Sequence, residues 1–435
     1  MTYPDEVSII RDLEQARDAG FNLVRLHIKP EEPLVLHHCD RLGLLVDNDM
    51  VNLGDFPAYA GDSPAGRRRW EETMGAQLLR DRSHPSVIWW TLFNETWGLV
   101  ELARPYDAER QAWVQAMMAA VEALDSDGLL EDMSPRENAL EHVATELVTW
   151  HFYQAEWQAV VDLLDVALAK AFVGSEHFYV EGHAQQENFP LLNTEFGPFS
   201  AEPFAPEAQR DRDISDDLRW LLNLYRARPG ISGYIFTELY DVEFERNGLM
   251  DYDRGEKQTG YEELMGCGLA GLQGRVFVGL DEGPSLQTVP GLVVSLHSWI
   301  STYHPAEAAS DVLWSLWTSA GEGPLSEGRI ELGETHAVLV GRTNLPPIEV
   351  STPAAGGAFV LRLRAGDVCN MLPILAPPPR AEGWQSPQLN ARDYSAPPSS
   401  WRVVDAQGDA LDSDHADPVM IEEDVEAVGV LGAGR

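Results

Sequence analysis

The sequence predicts an α/β protein: a barrel of alternating strands and helices over residues 1–280, followed by a small all-β, sandwich-like domain over residues 281–435. Two observations carry this prediction. Through the first 280 residues short apolar runs alternate with longer amphipathic stretches, the pattern that βα units of a parallel sheet produce. Beyond Asp281 glycine and proline become frequent and short alternating runs replace the helical spacing.

The strands predicted in order are 22–27, 44–47, 87–93, 129–132, 148–152, 191–194 and 233–237. The run Val-Ile-Trp-Trp-Thr-Leu-Phe at 87–93 is hydrophobic without alternation, as a strand covered on both faces is. Between the strands, 6–19, 32–42, 65–82, 107–124, 154–171 and 213–227 carry apolar residues at helical spacing among charged ones. Seven strands interleaved with helices make a (β/α)8 barrel of the TIM type less its first strand, whose place would be ahead of residue 1. In the second domain alternating runs fall at 292–298, 312–318, 337–343 and 359–363. The stretch 375–400 is rich in proline and serine and reads as irregular, and the acidic tail from Asp412 reads as partly disordered.

Composition narrows the partners. With 31 basic against 70 acidic residues the formal charge is -39, which repels nucleic acid and anionic membranes. No stretch approaches the roughly 18 apolar residues of a membrane span, and the N-terminal residues lack a basic-then-apolar signal segment. Cys39, Cys267 and Cys369 are far apart and outside any CxxC or Cys/His metal spacing, so reduced, incidental thiols are expected. In the run His37-His38-Cys39-Asp40 adjacent helical residues point about 100° apart, which argues against a shared metal. No cofactor or metal is expected.

In parallel barrels reactive groups sit where strands end, and two ends stand out. The strand at 87–93 runs into Asn94-Glu95-Thr96-Trp97, and the strand at 191–194 runs into Glu195-Phe196-Gly197. Two carboxyls across one rim are what glycosidic bond hydrolysis needs: one protonates the leaving oxygen, and the other forms a glycosyl ester or activates water. Alternatively, each glutamate caps the following helix or pairs with an arginine.

An ordered set of motifs over residues 1–255 resembles glycoside hydrolase family 2, the family of β-galactosidases, β-glucuronidases and β-mannosidases. The motifs are Gly20-Phe-Asn-Leu-Val-Arg-Leu-His27, Cys39-Asp-Arg-Leu-Gly-Leu-Leu-Val46, Arg82-Ser-His-Pro-Ser-Val-Ile-Trp-Trp-Thr-Leu-Phe-Asn-Glu95, Trp150-His-Phe-Tyr153, Asn193-Thr-Glu-Phe-Gly197, and Gly233-Tyr-Ile-Phe-Thr-Glu-Leu-Tyr-Asp241 leading to Asn247-Gly248. The resemblance implies that Glu95 is the acid/base and Glu195 the nucleophile. It further implies that Asn94 contacts the sugar 2-hydroxyl and that Tyr153 hydrogen-bonds the nucleophile. Arg25 and His27, ending the first predicted strand, and His151 either line the sugar subsite or pair with barrel carboxylates. Trp97 and Glu238, at other strand mouths, read as pocket wall, or else as core packing and an arginine partner.

The chain also departs from the family pattern. The N-terminal sandwich and immunoglobulin-like domains and the first barrel strand are not in this sequence, so the expectation is a separate N-terminal β-sandwich polypeptide as partner, a missing domain lost by truncation, or an N-terminal helix region that patches the gap. Where the family usually has a Trp and a Met-Pro, this chain has Val46-Asp47-Asn48-Asp49-Met50-Val51. Family β-glucuronidases carry an Asn-x-Lys-Gly motif, and the comparable Arg246-Asn247-Gly248-Leu249 has no lysine, which favours a neutral sugar such as a β-galactoside. Two readings remain: a retaining exo-β-glycosidase acting on a carbohydrate substrate, and an inactive family remnant or carbohydrate-binding scaffold.

Overall fold

In the computed structural model, residues 3–54, 61–100, 106–136, 140–154, 156–197, 214–242, 245–257, 268–303, 311–332 and 341–377 are described. The Pro/Ser-rich stretch beyond 377 and the acidic tail lie outside them, as do residues 337–340 of one predicted strand. The chain divides into two compact units. One comprises Met1–Gln154, Asp162–Pro203 and Gly230–Tyr252, the other Ala155–Val161, Phe204–Pro229 and Asp253–Arg435.

The first unit holds seven parallel strands of a TIM-type barrel. β1 (Leu23–Leu26), β2 (Leu45–Asp49), β3 (Val87–Thr91) and β4 (Leu129–Glu131) pair in that order, and β5 (Val148–Tyr153), β6 (Leu191–Gly197) and β7 (Gly233–Phe236) form a second parallel sheet. These are the seven strands the sequence predicts, and no other described strand joins either sheet. Helices α1 (Glu6–Asp18), α2 (Pro33–Leu42), α3 (Pro64–Asp81) and α4 (Ala108–Leu124) intervene, and α5 (Trp157–Lys170) contributes its residues from Asp162 onward to this unit.

Local chemistry sets the helix ends. Asp5 caps α1 by accepting from the Ser8 amide at 2.9 Å, and Ser63 caps α3 just ahead of Pro64. α2 stops at Gly43, whose φ of 72° a residue with a Cβ rarely adopts. Ile9 and Leu13 of α1 pack on Val35, Leu36 and Cys39 of α2 and on the outward residues Leu26 and Val46 of β1 and β2. The preceding Tyr3 hydrogen-bonds Tyr240, beyond the end of β7.

Strand alternation divides the barrel interior into layers. Trp89, Leu147 and Leu192, with Leu23, Ile88 and Ile235 against them, form an apolar layer. Two residues further along, Arg25, Thr91 and the paired Asp47 and Asp49 replace it with a polar layer. Asn48, pointing the other way, is held by Gln77 and Asp81 of α3.

The second unit contains α6 (Ser215–Arg226) and ten strands: β8 (Val276–Leu280), β9 (Leu286–Gln287), β10 (Val293–Leu296), β11 (Ser298–Thr302), β12 (Val312–Thr318), β13 (Ser326–Ile330), β14 (Gly341–Asn344), β15 (Ile348–Ser351), β16 (Gly357–Ala365) and β17 (Val368–Ala376). Sheets β14-β11-β8, β13-β12-β16-β17-β9 and β10-β15 enclose one apolar core that includes Val278, Ile300, Leu316, Leu361 and Leu372. β8 precedes residue 281, where the sequence reading opens the β-domain, yet it pairs with β11, so the strands of this unit begin at Val276. Asn223 of α6 exchanges hydrogen bonds with the backbone of Leu280 at 2.8 and 3.2 Å, and Arg219 donates to the carbonyl of Met371 at 2.8 Å.

One expectation is corrected. Cys39 is free and buried, but Cys369 is disulfide-bonded, because pairing follows spatial proximity, which sequence spacing does not report. Among the described residues no helix is long and apolar enough to cross a membrane.

Candidate active site

Glu95 and Glu195 meet at one end of the barrel, with a carboxylate oxygen of each and Nδ1 of His151 all within 4.8 Å of one another. β6 continues through Glu195 with a register irregularity beside it against both neighbours; His151 on β5 lies opposite Glu195, and Phe236 on β7 lies opposite Phe196. Glu95 is presented differently. Beyond β3 the backbone turns through Glu95 and Thr96, with φ of 51° and 56°, values that L residues adopt at a cost of about 1–3 kcal/mol. The turn is held by the Glu95 amide donating to the Ser134 carbonyl at 2.8 Å and by Thr96 Oγ1 against Glu141 at 3.1 Å.

Glu195 has a partner on each oxygen. Arg25 donates to Oε1 at 2.6 Å, and the Tyr153 hydroxyl donates to Oε2 at 2.6 Å. Burial alone would raise this carboxyl. The charges of His151, Arg25 and His27 and the Tyr153 hydrogen bond outweigh burial and hold it at about 2. Burial foremost, then the anionic Glu195, push the Tyr153 hydroxyl well above its ordinary range, so it remains a donor.

Arg25 organises the floor. Its guanidinium also grips both oxygens of Asp49 at 3.1 and 2.9 Å and donates to Oδ1 of Asn94 at 3.0 Å. Burial works against its charge, but Asp49, Glu195 and Asp47 raise its pKa well above the ordinary value. Asn94 is fixed a second time through its backbone N–H, which donates to Asn52 Oδ1 at 3.1 Å.

Glu95 Oε1 lies 2.8 Å from Nδ1 of the fully buried His151, whose Nε2 lies 2.7 Å from Ser134 Oγ. Ser134 Oγ lies in turn 2.8 Å from Thr194 Oγ1. A hydroxyl can donate or accept, so this row accommodates the shared proton on either His151 or Glu95. Glu95, His151 and Glu195 are the described group whose atoms are close enough to share a cation, and hydrogen bonding accounts for their spacing.

The residues singled out in the sequence thus separate into two sets. Arg25, Asn94, Glu95, His151, Tyr153 and Glu195 form one connected network. His27, at the edge, has Nδ1 3.4 Å from Asp49 and 3.9 Å from Glu195, with 45% of its side chain exposed. Trp97 is half-buried on the Glu95 turn, and Glu238 is half-buried just past β7. Arg25 and His151 pair with the barrel carboxylates, the second of the two readings given for them. Sequence reasoning misses Asp49, Ser134 and Thr194. The signal for Asp49 is its parity with Asp47 on β2, opposite Arg25.

The chain matches the family model Glycosyl hydrolases family 2, TIM barrel domain, over residues 4–197, which carry β1 to β6 and the whole connected network. Over 95 residues it is 36% identical to a β-galactosidase from Enterobacter cloacae and 34% identical to one from Yersinia pestis bv. Antiqua (strain Angola). Each match covers 21% of this chain and 9% of the relative, under a tenth of the curated relatives' length. A solved β-D-mannosidase from Dictyoglomus thermophilum shares the fold with a TM-score of 0.53 at 14% identity, over 85% of this chain and 48% of that one. Residues 4–197 of this chain thus resemble the TIM barrel domain of glycoside hydrolase family 2.

Proposed function

We propose that this chain hydrolyses terminal β-linked neutral sugars, β-galactosides foremost, with retention of configuration, Glu195 acting as nucleophile and Glu95 as acid/base. The observation that carries this reading is the approach of the two carboxylates to within 4.8 Å. Retaining glycosidases hold their carboxyls about 5–5.5 Å apart, whereas inverting enzymes leave roughly 6.5–9.5 Å for a water. The unequal surroundings of the pair support the same roles. Glu195 is held ionised by His151, Arg25, His27 and Tyr153, while Glu95 is hydrogen-bonded to His151 at 2.8 Å.

In the first step Glu195 attacks the anomeric carbon as Glu95 gives its proton to the leaving oxygen, forming a glycosyl ester. Esterification removes the charge of Glu195, and Glu95, now ionised, takes a proton from the incoming water. On this reading Asn94, held by Arg25 and by Asn52, binds the sugar 2-hydroxyl. The absence of a lysine from Arg246-Asn247-Gly248-Leu249 supports a neutral sugar, and the β-galactosidase relatives support galactose.

The test is turnover of a panel of nitrophenyl β-glycosides by the full chain and by Glu195→Gly. Wild type is expected to act, and the variant to lose activity and regain part of it with azide, giving an α-glycosyl azide because azide enters from the vacated face. Activity indifferent to that substitution sinks the assignment. A folded wild type that turns over no glycoside favours the inactive remnant or binding scaffold instead.

A further inference from the structure

Beneath the nucleophile lies a set of buried acids that the reaction above does not use. Asp47, Asp49 and Glu131 are essentially inaccessible to solvent, as are Thr91 and Thr149 between them. Thr91 Oγ1 stands 2.8 Å from Asp47 Oδ1 and 2.6 Å from Glu131 Oε2. A hydroxyl has a single proton and can donate to only one of these oxygens, so the other contact needs a proton on a carboxyl group.

Hydrogen bonding decides which group carries it. Glu131 also accepts from Thr149 Oγ1 at 2.5 Å, so with Thr91 it has a donor on each oxygen. Asp47 has only Thr91. Its Oδ2 is buried without a hydrogen bond, and the nearest cation, Arg25 Nε at 3.5 Å, is engaged by Asp49 at 3.1 Å. An ionised carboxylate left so poorly satisfied in the interior is costly, whereas a neutral acid tolerates one free oxygen.

We propose that Asp47 holds a proton in the resting protein and donates it to Thr91, which donates onward to Glu131, leaving the charge of Arg25 to Asp49 and Glu195. Asp47 is thereby a positioning residue. It lies on β2, opposite Arg25 in strand register.

The charged groups around it are consistent with this. Arg25 on β1 is the cation facing Asp47, Asp49 and Glu195, and Glu131 on β4 adds a further carboxylate. His142 is the next cation, and it is paired with Asp132 at 2.7 Å. Burial first, then Asp49, push the Asp47 carboxyl well above its ordinary range, against the pull of Arg25. Asp49 goes the other way, held low by Arg25 and His27 despite burial. An ionised Asp47 would compete with Glu195 for the same guanidinium.

The assignment deepens the proposed mechanism, but its test needs no turnover. Infrared difference spectra of the full chain at neutral pH, with aspartate carboxyls carbon-13 labelled, are expected to show a protonated carboxylic acid carbonyl band that shifts with the aspartate label. Asp47→Asn should abolish that band. No shifting band, or one that survives in Asp47→Asn, overturns the proposal, and a band that shifts only with labelled glutamate assigns the proton to Glu131 instead. If Asp47→Asn does not fold, the labelled wild type alone decides whether the buried proton is on an aspartate. Failure of the glycosidase reading leaves the band in place, and loss of the band leaves the glycosidase reading standing.

Discussion

Nη1 of Arg25 lies 2.6 Å from Oε1 of Glu195 although the two residues are 170 positions apart in the chain. The contact ties β1 of one parallel sheet to β6 of the other, and the same guanidinium spans Asp49 and Asn94. Lysine has one point charge and cannot reproduce that fork. Arg25→Lys is therefore expected to lower kcat/KM by roughly 10²-fold, the scale of one lost charge-stabilising contact in an active site. Arg25→Ala leaves buried carboxylates uncompensated and should cost about 3–5 kcal/mol of unfolding free energy. Steady-state kinetics and urea titration check the two, and an active, fully stable Arg25→Ala would refute both.

Tyr153 contributes to the same carboxylate without contributing charge. Its hydroxyl donates to Glu195 Oε2 at 2.6 Å, and a hydrogen bond to a charged group is worth about 1.5–3 kcal/mol. Tyr153→Phe should leave the fold intact, raise the pKa of Glu195 and lower kcat/KM by about 10- to 100-fold. The fall should be steepest at the acid end of the pH profile, where the nucleophile begins to protonate. A uniform loss across pH would mean that the hydroxyl serves the sugar and not Glu195.

How legible these features are depends on whether chemistry and hydrophobicity agree. Glu195 stands out because an apolar strand ends on it, and the seven barrel strands stand out because both faces are covered. β2 runs on to Asp49, two residues past its predicted end, because Asp47-Asn48-Asp49 reads as a polar loop although all three are buried. Their burial depends on Arg25 and α3, partners remote in sequence. β17 escapes notice because Pro373 interrupts it, a residue rare inside paired strands. β8 is apolar enough to pass for a barrel strand, and only its pairing with β11 assigns it to the other unit.

The turn behind Glu95 offers a test that removes no catalytic group. Gly98 has φ of 82°, and a Cβ there would sit 2.2 Å from the backbone nitrogen of Gly54. Gly98→Ala must move one of two backbones, and the movement falls three residues from Glu95. Misplacing a reacting group by about 1 Å costs around 10²-fold, so kcat should drop on that scale while Glu195 remains open to mechanism-based labelling. Unchanged kcat would show that the Glu95 turn does not depend on this close approach.

The buried pair His142 and Asp132 predicts how stability responds to pH. Nδ1 of His142 lies 2.7 Å from Asp132 Oδ1, and neither side chain reaches solvent. Burial opposes the imidazolium, but Asp132 outweighs it and raises the pKa above its ordinary value. The folded state therefore binds a proton that the unfolded state releases near pH ~6.5. The stabilisation from this pair is complete below that pH and is lost as pH rises through the folded value. Against His142→Gln, which keeps a hydrogen-bonding side chain without the charge, the wild-type advantage in urea unfolding should be largest in mild acid and shrink on the alkaline side. An advantage that grows with pH would mean the histidine is buried neutral, with burial and not Asp132 deciding its charge.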